Sequence, residues 1–267
     1  MAKKADSSLV SVTNWSPNNS GKRVYPLTRV SVHCVVGQCA ASTLGNLFAN
    51  PNFEASSNYG IGYDGKIGQY VSESDRSWCT SSYDNDNRAI TIEVASDTFD
   101  PYKVKDAAYK ALIKLLVDIC KRNKKKKLLW FGDKAKTLSY KPKSDELVMT
   151  VHRWFANKSC PGDYLYNLHS KIAAEVTKQL SGSTATTTTT PAKTNTTTAT
   201  FTPYIVRNNV PDLNVRKGPG TNYEVVTMIN GGAYTIVAES TGKGAKKWGK
   251  LKSGVGWIAL DYCTKIK

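Results

Sequence analysis

Four residues of this sequence are candidates for one shared site of metal binding or nucleophilic chemistry: His33, Glu93, His152 and Cys160. The chain has only three histidines, and two of them belong to this set. The stretch HRWFANKSCPG places His152, Lys158 and Cys160 close together in the sequence. Two imidazoles and a thiolate are enough for a catalytic zinc site, which uses three protein ligands and leaves one position for water. Ordinary packing is the alternative, because cysteine is among the most buried residue types.

The strands predicted around these residues favour a shared site. The segment RVSVHCVV alternates in polarity, and this places His33 on the face opposite the main apolar set. AITIEVA alternates in the same way and places Glu93 opposite its apolar side chains. LVMTVHRWF, residues 147–155, is predicted to be a further strand, and it carries His152. Cys160 follows in the loop after that strand.

A cysteine nucleophile with a histidine base is the rival interpretation. The candidate nucleophiles are Cys160, Cys39 and Cys34. Cys34 adjoins His33 on a predicted strand, so those two side chains point to opposite faces, whereas no such objection applies to Cys39. The six cysteines are scattered without a CxxC pair, which favours free thiols or metal ligands over disulfides. Spacing alone leaves the zinc site and the cysteine nucleophile open.

The elements that must position these residues indicate two domains. Over 1–180, strands alternate with helices, one of them running from about 102 to 122, which is typical of an α/β domain with a mixed central β-sheet flanked by helices. The Thr-rich segment 181–203 has too little apolar surface to fold and is predicted to be a flexible linker. Residues 204–267 hold short strands broken by glycines, which predicts a small all-β barrel.

Composition narrows the partners without choosing one. The 267-residue chain has a formal net charge of +16, which favours a polyanionic partner. The basic run KRNKKKK is interpreted as the solvated end of a helix, so we expect no nucleic-acid binding. No stretch approaches the roughly 20 apolar residues that span a bilayer, so we expect no membrane insertion. Because no apolar segment follows the basic N-terminus, we expect synthesis in the cytoplasm without a secretory signal.

Residues 25–180 resemble the type 2, zinc-dependent N-acetylmuramoyl-L-alanine amidases, which share their fold with peptidoglycan recognition proteins. The matching segments are VSVHCVVGQ, SSNYGIGYDGKIGQYV, RSWCTSS, NRAITIEVA and MTVHRWFANKSCPGDYLY. The chain order His, Glu, His and then Lys-x-Cys is typical of this family. The resemblance implies an amidase fold, one zinc ion as cofactor and bacterial peptidoglycan as substrate.

The resemblance also assigns roles to individual residues. It implies that His33, His152 and Cys160 are the zinc ligands, that Glu93 is the general base, and that Lys158 stabilises the oxyanion of the tetrahedral intermediate. Four further residues become candidates for catalysis or substrate binding: Tyr59, Trp78, Asn87 and Arg88. Where many members have Trp-His, this chain has Trp-Cys, and Cys79 is interpreted as a packing or rim residue. His169, the remaining histidine, is interpreted as structural or solvated.

Residues 204–265 resemble the bacterial SH3-like domains that are appended to wall hydrolases. The resemblance rests on LNVRKGPGTNYEVV and GWIAL. It implies an SH3-like barrel whose candidate wall-contacting residues are Asn214, Arg216, Tyr223, Trp248 and Trp257. The ligand stays open between a peptide cross-bridge, a glycan and an anionic wall polymer, since a fold does not fix a function.

Together the two resemblances imply an enzyme that cleaves the amide bond between N-acetylmuramic acid and the L-alanine of the stem peptide. A hydrolase joined by a linker to a wall-binding module resembles a phage endolysin, with a Gram-positive and in particular a clostridial host as the expectation. The expected place of action is the bacterial cell wall. Two alternatives remain: a peptidoglycan-binding protein without catalysis, and a cysteine peptidase of the wall.

Overall fold

The computed structural model describes residues 3–182 and 201–266. The chain divides into two compact units, Met1–Thr188 and Thr189–Lys267. Most of the predicted Thr-rich linker, 183–200, lies outside the described residues. The domain boundaries at 180 and 204 therefore stay predictions. Within the described part of the chain, no helix is both long enough and apolar enough to cross a membrane.

The first unit contains nine strands and five α-helices among its described residues. The strands are Val10–Thr13 (β1), Asn19–Lys22 (β2), Arg29–Cys34 (β3), Tyr59–Ile61 (β4), Ile67–Gln69 (β5), Asp75–Ser77 (β6), Ala89–Val94 (β7), Lys127–Leu129 (β8) and Glu146–Thr150 (β9). The helices are Ala41–Ala49 (α1), Tyr83–Arg88 (α2), Asp106–Arg122 (α3), Lys134–Ser139 (α4) and Gly162–Leu180 (α5).

Seven of these strands form one sheet in the order β1-β5-β4-β7-β3-β9-β8. Strands β4 and β5 are antiparallel, and every other pair of neighbours in this sheet is parallel. Strands β2 and β6 form a separate antiparallel pair. The predicted α/β class with a mixed central sheet is confirmed.

The core of the first unit lies between the sheet and helices α3 and α5. The apolar stripes of both helices, which include Leu112 and Leu165, are buried with sheet residues such as Val30 and Ile92. Burial of such a continuous apolar face is the main stabilising term of a domain of this size. The alternate residues of β3 and β7 are polar and lie on the other side of the sheet.

One predicted strand ends earlier in the structure than expected, and one predicted helix begins later, because the backbone turns at these points. The strand predicted over 29–36 ends at Cys34, and Val36 adopts the left-handed conformation with φ 60°. The helix predicted from 102 begins at Asp106, and Tyr102 also has a left-handed φ of 57°. Both turns follow the carboxyl ends of neighbouring parallel strands, so they lie at the edge of the sheet where sites commonly form.

The second unit is all-β. Its strands are Tyr204–Asn208 (β10), Leu213–Arg216 (β11), Val225–Ile229 (β12), Gly232–Gly242 (β13), Ala245–Leu251 (β14), Trp257–Ala259 (β15) and Cys263–Lys265 (β16). They form one sheet in the order β12-β11-β15-β14-β13-β10-β16. A small core of Val206, Leu213, Val215, Ile236, Leu251 and Ile258 holds the sheet together. The predicted SH3-like all-β class is confirmed.

Candidate metal centre and active site

The structure brings His33, His152 and Cys160 together, although more than a hundred residues separate the first from the other two. One ligand atom from each lies within 4.8 Å of the others. Nδ1 of His33 is 3.3 Å from Sγ of Cys160. The imidazole rings of His33 and His152 have their centroids 5.2 Å apart. The three side chains therefore form a compact cluster of two nitrogens and one sulfur.

His152 reaches this cluster from a turn, and the strand predicted over 147–155 is wrong at its end. Strand β9 stops at Thr150, and His152–Trp154 form a short 3-10 helix. Nε2 of His152 lies 3.3 Å from the hydroxyl of Ser81, whose φ of 57° is left-handed. The buried carboxylate of Asp86 holds this loop, because it accepts the backbone N–H groups of Cys79 and Thr80.

The loop that carries Cys160 is fixed at several points. The backbone N–H of Arg153 donates to the carbonyl of Cys160 at 3.0 Å. The guanidinium of Arg153 pairs with Asp163 at 3.0 Å and donates to the carbonyl of Ser159 at 2.6 Å. The backbone N–H of Cys34 donates to Sγ of Cys160 at 3.4 Å. The hydrogen-bonding Cys34 thiol and burial nevertheless raise the pKa of the Cys160 thiol well above its usual range, so a bound metal ion would have to displace its proton.

Glu93 lies beside His33 because strands β3 and β7 are parallel and pair these two residues. Its Oε1 is 3.8 Å from Nδ1 of His33 and 3.8 Å from Sγ of Cys79. Its Oε2 is buried and has no hydrogen-bond partner among the described residues. Burial raises the pKa of the Glu93 carboxyl to about 8. A carboxyl group with this pKa can accept a proton and release it again near neutral pH.

The cluster fits a zinc ion. Zinc bonds of about 2.0–2.1 Å to nitrogen and about 2.3 Å to sulfur, at tetrahedral angles, place the two donor atoms about 3.5 Å apart. The observed separation between His33 Nδ1 and Cys160 Sγ is 3.3 Å. Burial lowers the pKa of His152, and that of His33 well below its usual range, which keeps both imidazoles in the neutral form that binds metals. Three such donors leave one position of a tetrahedron open.

A second group of donors overlaps the first. His33, Cys79 and Glu93 also offer ligand atoms within 4.8 Å of one another. Cys79, interpreted from the sequence as a packing or rim residue, thus lies beside His33 and Glu93. Burial raises the pKa of its thiol well above the usual range. Because the Cys79 thiol donates to Oε1 of Glu93 at 3.8 Å, we assign Cys79 to the contact with this carboxyl group rather than to the metal.

Lys158 lies in the exposed loop between His152 and Cys160. Its positive charge contributes to the lowered pKa of His152, which places it within electrostatic reach of the cluster. No ion pair of Lys158 is found within the described residues. Trp78, also a candidate, is half-buried, directly precedes Cys79 and donates from Nε1 to the hydroxyl of Ser20 at 2.8 Å.

Tyr59 does not lie at this cluster, so its prediction as a catalytic residue is wrong. It pairs with Ile92 of β7, so its side chain lies on the core face of the sheet, opposite Glu93. Its hydroxyl donates to Glu73 at 2.8 Å, and Glu73 also pairs with Arg122 at 2.7 Å. Tyr59 therefore belongs to a buried network that ties α3 to the loop before β6.

Asn87 and Arg88 are also away from the cluster. Asn87 is buried and bridges two backbone groups, accepting from Val24 and donating to the carbonyl of Tyr83. Arg88 stacks on Tyr25 at 4.1 Å and pairs with Asp84 at 2.9 Å. Both precede β7, whereas Glu93 is near its carboxyl end; at about 3.3 Å per residue this separates Arg88 from Glu93 by roughly 16 Å. These roles are structural.

The rival cysteine nucleophile finds little support in the surroundings of Cys39. Cys39 packs against the cluster of Leu44, Phe48 and Tyr70. Burial raises the pKa of its thiol, which disfavours the nucleophilic thiolate. Among the described residues, no hydrogen bond joins this thiol to a histidine.

His169 is fully buried in the first unit. Its Nδ1 donates to the carbonyl of Leu165 at 2.6 Å, and its ring packs on Trp130 with centroids 4.6 Å apart. Burial lowers its pKa to about 4. The interpretation of His169 as structural agrees with this position.

We expect His169 to make the fold sensitive to acid. Its pKa falls from 6.5 when unfolded to about 4 when folded, so its contribution to stability is complete above pH 6.5 and is lost as the pH falls towards 4. His169→Asn keeps a donor to Leu165 but cannot titrate. The free energy of unfolding is measured with urea between pH 7 and 4.5. Its dependence on pH should be shallower in the variant than in the wild type, by up to about 1.4 kcal/mol per pH unit. Equal slopes would contradict this role.

The second unit places its candidate residues differently. Trp248 is only 2% exposed, so it is a core residue, and its prediction as a wall-contacting residue is wrong. Arg216 donates to the carbonyls of Thr221 and Tyr223 and thereby stabilises the turn after β11. Tyr223 is 43% exposed, and Asn214 and Trp257 are half-buried. These three stay candidates for contact with a wall polymer.

Comparison with protein-family models finds two matches. Residues 20–163 match the model described as N-acetylmuramoyl-L-alanine amidase. Residues 211–264 match the model described as bacterial SH3 domain. The resemblances that the sequence motifs indicated are confirmed by these matches. No curated protein matches the sequence significantly.

Several solved structures are similar to part of this chain. A mutant endolysin from Bacillus subtilis is 17% identical, covering 62% of this chain and 97% of its own, with a TM-score of 0.40. Drosophila peptidoglycan recognition protein SD is 24% identical; the match covers 60% of this chain and 92% of that protein, with a TM-score of 0.41. The Ph2119 endolysin from a Thermus scotoductus bacteriophage is 14% identical; the match covers 61% of this chain and 97% of the endolysin, with a TM-score of 0.38.

Proposed function

Because the chain belongs to the N-acetylmuramoyl-L-alanine amidase family, whose model matches more than half of it, we propose that it hydrolyses the amide bond between N-acetylmuramic acid and L-alanine of peptidoglycan with the help of zinc. The observation that carries this proposal is the convergence of His33, His152 and Cys160, whose ligand atoms lie within 4.8 Å of one another. Their chemistry and spacing suit zinc, and Glu93 and Lys158 supply the two further groups that amide hydrolysis needs.

The proposed division of labour follows from the positions of the side chains. His33, His152 and Cys160 would hold the zinc ion, which when bound acidifies water and polarises a carbonyl. Glu93, next to His33, removes a proton from the attacking water through its unpartnered Oε2 and returns it to the leaving amine of L-alanine. Lys158 donates to the oxygen of the scissile carbonyl as negative charge develops there. The products are a lactyl carboxylate and a free amino group.

Lys158→Ala is expected to lower kcat by about 10²–10³-fold, the usual cost of removing one donor to an oxyanion. Zinc content should stay near the wild-type value, because all three proposed ligands are retained. Lys178→Ala is the matched control, since it removes the same charge from an exposed position on α5. Turnover of a soluble muropeptide measures the effect, and equal rates for the two variants would exclude Lys158 from catalysis.

The second unit is proposed to hold the enzyme on the bacterial wall. Most of this unit matches the bacterial SH3 domain model. Its Tyr223 side chain is exposed next to the Gly218–Gly220 turn. The net charge of +16 favours association with a wall that carries anionic polymers. Tethering to the wall raises the local concentration of the first unit at its substrate without new contacts there. We propose that the chain acts as an endolysin-type lytic enzyme on a Gram-positive wall.

One assay separates this proposal from its two alternatives. The full chain is incubated with purified peptidoglycan in three samples: untreated, treated with a chelator, and treated with a chelator and then given zinc. The release of new amino groups is measured in each. A zinc amidase releases amino groups only when zinc is present. Binding to the wall without release would identify a recognition protein, and release that resists chelation but is lost in Cys39→Ala would identify a cysteine peptidase.

A further inference from the structure

We propose that Ser31 is a positioning residue that fixes the tautomer of His33, so that Nδ1 of this imidazole presents its lone pair to the metal. The inference rests on the proposed zinc site and extends it to a residue that does not touch the ion. Ser31 lies two positions before His33 on β3, on the same face of the sheet. Both side chains are fully buried.

The hydrogen bonds of Ser31 determine which nitrogen of His33 carries the proton. The Ser31 hydroxyl donates to the backbone carbonyl of Thr150 at 3.2 Å. A hydroxyl has only one hydrogen to donate, so towards Nε2 of His33, also at 3.2 Å, it acts as the acceptor. Nε2 therefore carries the proton, and Nδ1 is left with a free lone pair.

That lone pair faces the other groups of the proposed site. Nδ1 is 3.3 Å from Sγ of Cys160 and 3.8 Å from Oε1 of Glu93. The opposite tautomer would place a hydrogen on Nδ1, where the metal binds, and would leave the buried Nε2 competing with the Thr150 carbonyl for the single hydroxyl hydrogen. The parallel pairing of β3 with β9, which sets Ser31 beside Thr150, thus orients a ligand of the metal.

The hydroxyl of Thr150 offers an internal control. Thr150 is fully buried beside Ser31, but within the described residues its Oγ1 has no hydrogen-bond partner. Thr150→Val removes this hydroxyl from the same layer of the sheet and keeps the backbone carbonyl that Ser31 requires. If the hydrogen-bond chain orients His33, only the hydroxyl at position 31 should matter.

The test uses the full chain and two readouts that do not depend on turnover. Zinc affinity is measured by competition with a chromogenic chelator, and the protonated nitrogen of each histidine is read from two-bond ¹H–¹⁵N imidazole spectra of the metal-free protein. We expect Ser31→Ala to weaken zinc binding by about 10–100-fold, the usual effect of removing a partner of a ligating histidine. Its His33 should lose the single Nε2–H tautomer. Ser31→Thr should restore both properties, and Thr150→Val should leave both unchanged.

Three results would overturn the role of Ser31. They are an Nδ1–H tautomer of His33 in the metal-free wild type, an unchanged zinc affinity in Ser31→Ala, and an equal loss in Thr150→Val. Should Ser31→Ala fail to fold by circular dichroism, the wild-type tautomer and the Ser31→Thr variant decide the question. A wild-type protein that has the Nε2–H tautomer but binds no zinc would instead refute the proposed function.

Discussion

Cys160→Ala is expected to abolish zinc binding and with it the release of amino groups from peptidoglycan. Removal of a residue that only hydrogen-bonds to a metal ligand already lowers metal affinity by about 10–100-fold. Removal of one of the three ligands themselves should therefore lower it by more than about 100-fold. The remaining donors of this set, His33 and His152, leave two positions of the tetrahedron open. Metal content after dialysis and the rate of peptidoglycan hydrolysis measure the two effects.

Cys39→Ala is the matched control for this experiment. Cys39 is another free thiol of the first unit; it packs against Leu44, Phe48 and Tyr70 and belongs to neither group of candidate ligands. The variant should keep its zinc and most of its activity. A Cys160→Ala protein that retains one zinc per chain would remove Cys160 from the ligand set, and loss of activity only in Cys39→Ala would favour a thiol nucleophile.

Glu93→Gln is expected to lower kcat by about 10²–10⁴-fold, which is the usual contribution of general acid–base catalysis. Glutamine preserves the shape of the side chain beside His33, so zinc content should stay at the wild-type value. The combination of normal metal content and low turnover distinguishes a proton-transferring group from a ligand. Glu54→Gln, which makes the same chemical change at an exposed position, is the control.

Either of two outcomes would contradict the role given to Glu93. Full activity in Glu93→Gln would show that another group moves the proton. Loss of zinc together with activity would instead place Glu93 among the ligands, as the overlapping group of His33, Cys79 and Glu93 allows.

For residues on regular strands, the face of the sheet on which each side chain lies could be predicted from the sequence. The alternation in β3 and β7 indicated that His33 and Glu93 face away from the apolar core, and the parallel register of these strands sets them side by side. Such periodicity identifies the face of a strand, because successive side chains point to opposite sides. The motif resemblance added Cys160 and Lys158, which lie in a loop without periodicity.

Other features depend on tertiary contacts that no local pattern encodes. Ser31 meets the carbonyl of Thr150 across 119 residues, and the pairing of strands had to be known before that contact could be expected. Trp248 looked like a surface aromatic because short strands leave the buried face ambiguous. Arg88 lies near Glu93 in the sequence, but an extended strand carries the two residues to different ends of the sheet.

The most direct test of the proposed function identifies the bond that is cut and the source of the new oxygen. A defined muropeptide is hydrolysed by the zinc-loaded full chain in H₂¹⁸O, and the products are analysed by mass spectrometry. We predict one ¹⁸O atom in the lactyl carboxylate of N-acetylmuramic acid, a stem peptide with a free L-alanine amino group, and neither product after zinc is removed. Cleavage within the stem peptide or the glycan, or the same cleavage in zinc-free protein, would contradict the proposed zinc amidase.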